Sequence, residues 1–432
     1  MLDIKRIRET PEEIKKQIAT RGGGDEQLVD ATLQADEKRR AALAEVEKLK
    51  AQRNSVSKQI GMLMGQKKFE EAELKKKETK DIGTRISELD QEVRDAESAR
   101  DAALMAIPNL PHESVPLGKD AEDNPVIRTW GEPPNFSFEP KSHVELCDDL
   151  DLVDFSRATK LAGSGFLLFK KWGARLQRAL IQYLLDTHTE KNGFTEVSPP
   201  FLVHESCMEG VGQFPKFRDQ AYTVREGEDD ATLGKHYLIP TAEAPVANLH
   251  REEILKKEDL PIYYCAYSPC FRAEAGAAGV NTRGMIRVHQ FDKVEMIKVV
   301  EPEKGYEELE SMVQAAESIL QELGLHYRTV TLCTGDMGFA AAKTYDIEVW
   351  APGQKQYLEV SSCSNCEDYQ SRRMQLRYKS DQGNQFPHLL NGSGLALPRL
   401  FVALVETWQQ SDGSIMIPEP LRPYFRADTI PF

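Results

Sequence analysis

Two kinds of hydrophobic periodicity divide this chain. Between about residues 28 and 107, apolar positions recur every three or four residues. Val46, Leu49, Val56, Ile60 and Leu63 share a phase with Arg53, and Ile82, Ile86, Leu89, Val93, Ala96, Ala103 and Ile107 share one with Arg100. A 3-4 repeat draws an apolar seam along a helix, and two such seams wind together. Residues 61–69 (GMLMGQKKF) hold two glycines that break the phase. The pattern therefore predicts an antiparallel coiled-coil hairpin with its tip near residues 61–69. The preceding MLDIKRIRETPEEIKKQ reads as a charged helix.

Prolines 108, 111, 116, 125, 133 and 134 end this regime. Helical patterning returns over 144–154 and 176–192, the second closed by Gly193. FTEVSPPFLV (194–203) reads as extended, and its paired prolines confine it to a sheet edge or an interface. Short β-branched and aromatic runs follow at 236–240, 262–271, 285–300, 326–332, 344–350 and 356–361. The last two flank a Pro352-Gly353 turn and form a hairpin. Helices are expected over 303–323 and 397–410. Strands joined mostly by hairpins, with helices against them, predict an α+β domain on an antiparallel sheet.

Composition adds limits. The 432 residues have room for two or three domains. A net charge of −14 excludes a protein that coats nucleic acid by bulk charge. Yet Lys48, Lys50, Arg53, Lys58, Lys67 and Lys68 fall in a stretch without one acidic residue, with Lys75, Lys76 and Lys77 on the return helix. A basic rod in an acidic protein points to a polyanion, against the plainer reading of a solvated coiled coil. Seven scattered cysteines imply a reducing compartment. The amino terminus has no apolar core and no run is long enough to span a bilayer, so a cytoplasmic location without membrane attachment is expected.

The candidate chemistry centres on residues 271–291, FRAEAGAAGVNTRGMIRVHQF, which reads as two strands around a glycine-rich loop. Alternation puts Arg272 and Glu274 on one face. It likewise aligns Arg287, His289, Phe291, Lys293 and Glu295. Cations for phosphates, a ring for a base and carboxylates for amines make a nucleotide site. Thr241-Ala242-Glu243, after a strand, offers groups for an ammonium or hydroxyl, or alternatively a cap for the next helix. Glu359-Val360-Ser361-Ser362 reads as a strand end whose carboxylate and hydroxyl suit Mg²⁺ beside phosphates. Cys363-Ser-Asn-Cys366 has zinc-knuckle spacing but no second ligand pair. Gly392-Ser393-Gly394 lacks the lysine of a phosphate-binding P-loop.

In order, these residues resemble a bacterial-type seryl-tRNA synthetase over essentially the whole chain. Residues 193–200 (GFTEVSPP) resemble class II motif 1. Phe271-Arg272-Ala273-Glu274 with Arg287 to Phe291 resembles motif 2, and Asn391 to Arg399 resembles motif 3. The TAE run, the EVSSCSN run, the IPNLP run after the arm and the helical hairpin itself resemble serine-family features. One departure is Pro398, where many motif 3 sequences carry Glu; proline is comfortable in a first helical turn.

The resemblance implies a class II antiparallel sheet flanked by helices, with an N-terminal antiparallel coiled-coil arm. It implies an arm at 1–107, a catalytic domain at 108–432 and a homodimer through motif 1. The implied reaction makes seryl-adenylate from serine and ATP, then charges the 3′ end of serine tRNA, with selenocysteine tRNA as a further acceptor to test. ATP would meet Arg272, Ala273, Glu274, Val288, Phe291, Glu359, Val360, Ser361, Ser362 and Arg399, with Arg272 and Arg399 catalytic. Serine would meet Thr241, Ala242, Glu243, Arg272, Glu295 and Ser393. Mg²⁺ would sit on Glu359 and Ser362, and tRNA on Lys50, Arg53, Lys67 and Lys68. Two rival readings are a carrier-protein aminoacylating paralogue, which lacks the arm, and a non-catalytic RNA scaffold, which expects eroded motifs.

Overall fold

The computed structural model describes residues 1–225, 227, 236–274 and 284–432. The glycine-rich loop expected after Glu274 lies largely outside them. The chain forms two compact units. One comprises Leu2–Ala19 and Gly23–Pro108; the other comprises Met1, Thr20–Gly22 and Asn109–Phe432.

In the first unit, short helices Ile4–Glu9 and Pro11–Ala19 precede α1 (Gln27–Gly65) and α2 (Phe69–Ala106). At 1.5 Å per residue, the 39 residues of α1 span roughly 58 Å. The expected seam is present: Val46, Val56, Ile82, Ile86 and Leu89 are buried, with Leu49, Ile60 and Val93 packed at its margin. The turn falls at residues 66–68, where Lys67 takes a left-handed φ of +61°. The basic face is less bare than the sequence implies. Carboxylates of α2 meet several lysines: Asp90 lies 3.9 Å from Lys50, and Glu71 lies 3.5 Å from Lys68. Glu78 lies 2.6 Å from Lys75. Arg53, in phase with the seam, is half-buried, while Lys67 and Lys68 are exposed.

The second unit is built on an eight-stranded sheet. Its strands in chain order are β1 (Val126–Trp130), β2 (Thr195–Glu196), β3 (Ile262–Phe271), β4 (Gln290–Val300), β5 (Tyr327–Thr331), β6 (Lys343–Ala351), β7 (Gln356–Asn365) and β8 (His388–Ala396). Their spatial order is β1-β5-β6-β7-β8-β4-β3-β2. Every pairing is antiparallel except β2 on β3. Strand β2 holds the sheet edge, and the prolines at 199 and 200 lie just beyond it. Helices α3 (Lys171–Glu190), α4 (Gly305–Glu322) and α5 (Leu397–Thr407) bury one core with the sheet. Leu180, Leu184, Ile319, Leu320, Leu400 and Leu404 are fully enclosed in it.

Four local expectations are corrected. The helix expected over 144–154 is shorter, His143–Asp149, and a second helix, Phe155–Ala162, follows it. Asp151 adopts φ +52°, and the Asp154 carboxylate caps the second helix through the Arg157 amide. The strand expected from 285 begins at Gln290, so Arg287 and His289 lie before it. Residues 359–362 are the middle of β7 rather than its end. Asn391 to Gly394, read as a run ahead of a helix, are themselves strand β8. Pro398 sits in the first turn of α5, as expected.

Candidate active site

The hairpin of β3 and β4 sets the site's axis. Cys270 pairs with Phe291, Ser268 with Lys293 and Ala266 with Glu295. The ladder continues one step past β3, where the Arg272 amide donates to the His289 carbonyl at 2.9 Å. Period two then places Arg272, Phe291, Lys293 and Glu295 on one face. Arg272 stands 5.1 Å from the Phe291 ring centre. His289 is a fastener: its amide donates to the Gly165 carbonyl at 2.8 Å, and its ring packs on Phe166. A Cβ on Gly165 (φ +78°) would lie 2.6 Å from that ring, so this contact needs glycine.

A cavity of about 330 Å³ opens on this face, bounded by Arg272, Glu274, Arg287, Phe291, Lys293, Glu359, Ser393 and Arg399. Val288, Ile286, Ala396 and Pro398 complete its wall. Glu274 takes φ +49°, a sparsely populated region for a side-chain-bearing residue, and accepts from Arg287 Nε at 2.5 Å. On the opposite wall Arg399 donates to the Glu359 carbonyl at 2.9 Å and to its carboxylate at 3.2 Å. Both ion pairs are partly open to solvent.

A β-bulge shapes that wall. Glu359 and Ser362 are three apart, so alternation alone would separate them onto opposite faces. The register skips Val360, stepping from Glu348↔Glu359 to Ile347↔Ser361. The extra residue turns the strand. Leu358, Val360 and Cys363 enter the core, leaving Glu359 and Ser362 more open than their neighbours. Ser361 is buried and donates to the Ser393 carbonyl at 2.6 Å. Across from Ser362, burial and then the Glu359 carboxylate push Asp346 well above the usual carboxylate range. Its buried Oδ1 has no hydrogen-bond donor among the described residues.

Deeper in, a buried network joins Thr241, Lys293 and Glu295, which are 3%, 6% and 2% exposed. The Thr241 hydroxyl donates to Glu295 Oε2 at 2.9 Å and accepts from Lys293 Nζ at 2.8 Å. It also accepts from the Glu243 amide at 3.2 Å, at the start of the helix that follows. One donor and two lone pairs are all used. Lys293 and Glu295 form a close ion pair. Glu243 accepts from Gln370 Nε2 at 2.6 Å. Burial, reinforced by Glu295, pushes its carboxyl up to about 7. Ser393 lies directly across the ladder from Glu295. Under β8, burial holds His188 neutral, its affinity for a proton lowered to about 4, and its Nε2 bonds the Gly394 carbonyl at 2.6 Å.

The fold thus gathers Arg272, Glu274, Val288, Phe291, Glu359, Ser393 and Arg399 around one cavity, with Thr241, Glu243 and Glu295 adjoining. Ala242 is buried against Val246, Ala266 and Ile297, so its side chain does not reach the cavity. The side chains of Val360 and Ser361 also turn away. Ala273 hangs on the Gln220 carbonyl through its amide. Sequence reasoning assigned no role to Lys293 or Gln370. For Lys293 the signal was there, since it alternates with Phe291 and Glu295. Gln370, remote in sequence, gave none. The CxxC cysteines are both buried, and Cys366 Sγ accepts from Asn391 at 3.4 Å.

An antiparallel sheet with this cavity between its central strands and an arginine-led helix is the core of a class II aminoacyl-tRNA synthetase. The family model "tRNA synthetase class II core domain (G, H, P, S and T)" matches residues 222–408. "Seryl-tRNA synthetase N-terminal domain" matches residues 1–111. A serine–tRNA ligase of Akkermansia muciniphila is 55% identical, covering 100% of this chain and 99% of its own. One from Geobacillus kaustophilus is 53% identical over 98% of each. The crystal structure of seryl-tRNA synthetase from Pyrococcus horikoshii complexed with ATP superposes with a TM-score of 0.92 at 39% identity, covering 100% of this chain and 99% of that one. The chain belongs to the seryl-tRNA synthetase family.

Proposed function

We propose that the chain is a serine–tRNA ligase that forms seryl-adenylate and esterifies the 3′ end of serine tRNA. The observation that carries this is the gathering, at one cavity, of open arginines with a stacking ring beside a closed hydroxyl-and-carboxylate network. In the first step a serine carboxylate oxygen attacks the α-phosphorus of ATP and pyrophosphate leaves with its bonding pair. In the second, a terminal ribose hydroxyl of tRNA attacks the seryl carbonyl and AMP leaves.

Arg272 carries the charge of the α-phosphate and the serine carboxylate, bringing two anions together in line. Phe291 stacks on adenine, Glu274 accepts from the adenine amine and Arg399 closes the other side. Ala273 and Val288 line the nucleotide, and Val360 and Ser361 serve through their backbone. Both glutamates now pair with arginines, so ATP binding exchanges those partners.

Glu359 and Ser362 fit Mg²⁺: an all-oxygen donor pair on one face, with the orphaned Asp346 Oδ1 behind it. Bound there, Mg²⁺ supplies charge neutralisation to the departing phosphates. Serine lies among Thr241, Ala242, Glu243, Glu295 and Ser393. Alanine offers these polar groups no hydroxyl to bond, which is the basis of its rejection.

Residues 1–107 form the tRNA-binding arm, through Lys50, Arg53, Lys67 and Lys68, and residues 108–432 the catalytic domain. The enzyme works as a cytoplasmic homodimer through the motif 1 edge strand. Among the described residues, no helix is long and apolar enough to cross a membrane. The test is ATP–pyrophosphate exchange across the standard amino acids. Serine-dependent exchange is expected, and folded protein without it refutes the reading.

A further inference from the structure

Lys293 has no assigned part in the reaction, yet its ammonium stands where the amino-acid pocket is most buried. It is one of two cations on the β3–β4 face that lines the cavity, the other being Arg272. Arg272 leans over Phe291, toward the nucleotide side. Lys293 turns the other way, onto Thr241 Oγ1 at 2.8 Å and onto the Glu295 carboxylate. These are the two most enclosed polar side chains assigned to serine.

A carboxylate 2% exposed needs a counter-charge, and the Lys293 ammonium is the one bonded to it. A hydroxyl is free to rotate unless its bonds fix it. By filling a lone pair of Thr241, Lys293 leaves the Thr241 proton aimed at Glu295. An ammonium carries three N–H groups. Two are spent on Thr241 and Glu295, and the third remains for an oxygen in the cavity whose wall Lys293 forms.

We propose that Lys293 is a positioning residue of the serine site, holding the Thr241 hydroxyl and the Glu295 carboxylate aimed before serine arrives. This rests on the serine–tRNA ligase reading. The serine ammonium then enters a pocket whose carboxylates are already oriented, and no reorganisation is needed on binding. The device belongs to the amino-acid half alone, because none of the polar contacts of Lys293 reaches a residue assigned to ATP.

The test compares Lys293→Met with Lys293→Arg in ATP–pyrophosphate exchange, taking KM for serine and for ATP separately. Lys293→Met should raise the serine KM roughly ten- to hundredfold, the consequence of unpairing a buried charge. The ATP KM should stay within about twofold, as expected where no contact is lost. Lys293→Arg keeps the charge and should show a smaller rise. Lys293→Gln, which keeps a donor, replaces the methionine variant if that one does not fold. An unchanged serine KM, parallel rises for serine and ATP, or equal rises in the charged and uncharged variants would overturn the proposal. Absence of serine-dependent exchange in the unsubstituted enzyme would instead refute the ligase reading, so the two failures are distinct.

Discussion

The two halves of the cavity hold their charges in opposite ways. On the nucleotide side, the Arg287–Glu274 and Arg399–Glu359 pairs are partly solvated, with arginine side chains 47% and 31% exposed. Pairs of that kind contribute about 0–1 kcal/mol each and exchange partners readily. On the amino-acid side, the Thr241–Lys293–Glu295 network is nearly closed to water and its three members are bonded to one another. Breaking one member there strands the others, at about 1–3 kcal/mol for a neutral group and more for a charge. The difference teaches a division of labour. On the proposed function, a large anionic ligand such as ATP meets partly solvated charges, whereas a small ligand that differs from alanine by one hydroxyl meets enclosed ones.

The contrast can be broken most severely at Arg272, which the proposed function assigns to both halves. Arg272→Ala should lower the rate of pyrophosphate exchange by roughly a thousandfold, the scale of losing a transition-state charge contact. Far-ultraviolet circular dichroism should remain native. A fold change instead would show that its stacking on Phe291 is structural.

Thr241→Ala should act on one half only. Serine KM should rise on the order of tenfold, with the serine-over-alanine preference in exchange falling by a similar factor. The ATP KM should stay constant. Parallel changes in both would erase the distinction between the halves.

Glu243 offers a pH test. Its carboxyl is pushed up to about 7, so near neutrality it is partly protonated. The serine ammonium favours the ionised form, so serine KM should fall as pH rises from about 6 to 8. Glu243→Gln should flatten that profile. For stability the sign is opposite. Between the ordinary value of 4.5 and about 7, the folded protein keeps a proton that the unfolded chain has lost. This group's contribution to stability therefore falls as pH rises through that window.

The smallest effect is expected in the helical hairpin. Neutralising Lys50, Lys67 and Lys68 should weaken tRNA charging and reduce its logarithmic salt slope by roughly 2, less than one per phosphate contact. Exchange should not change. Arg53, half-buried and in phase with the seam, should contribute to melting of the hairpin as well as to the salt slope.

Much of this was legible in the residues. The 3-4 repeat named both long helices, and the strands over 262–271 and 344–350 fell within a residue or two of their observed bounds. The edge position of β2 was expected from the two prolines just beyond it. What failed did so where one part of the chain answers to another. Asn391-Gly392-Ser393-Gly394 carries no strand signal by composition, yet runs as a strand because β4 and β7 hydrogen-bond on both sides of it. A Cβ on Gly394 would lie 2.4 Å from the His188 ring, so glycine here serves close packing rather than turning.

The sequence by itself determined the elements, their order and the types of side chain available, because helical and strand periodicities are set by neighbours three, four or two residues away. Only the tertiary structure decided which charges meet. The bulge that turns Glu359 and Ser362 to one side exists in the pairing of β6 with β7 and in neither strand alone. The joining of Thr241 to Lys293 and Glu295 needs contacts spanning more than fifty residues. Electrostatic preorganisation depends on distance through space and on exclusion of water, and neither is written in a one-dimensional pattern.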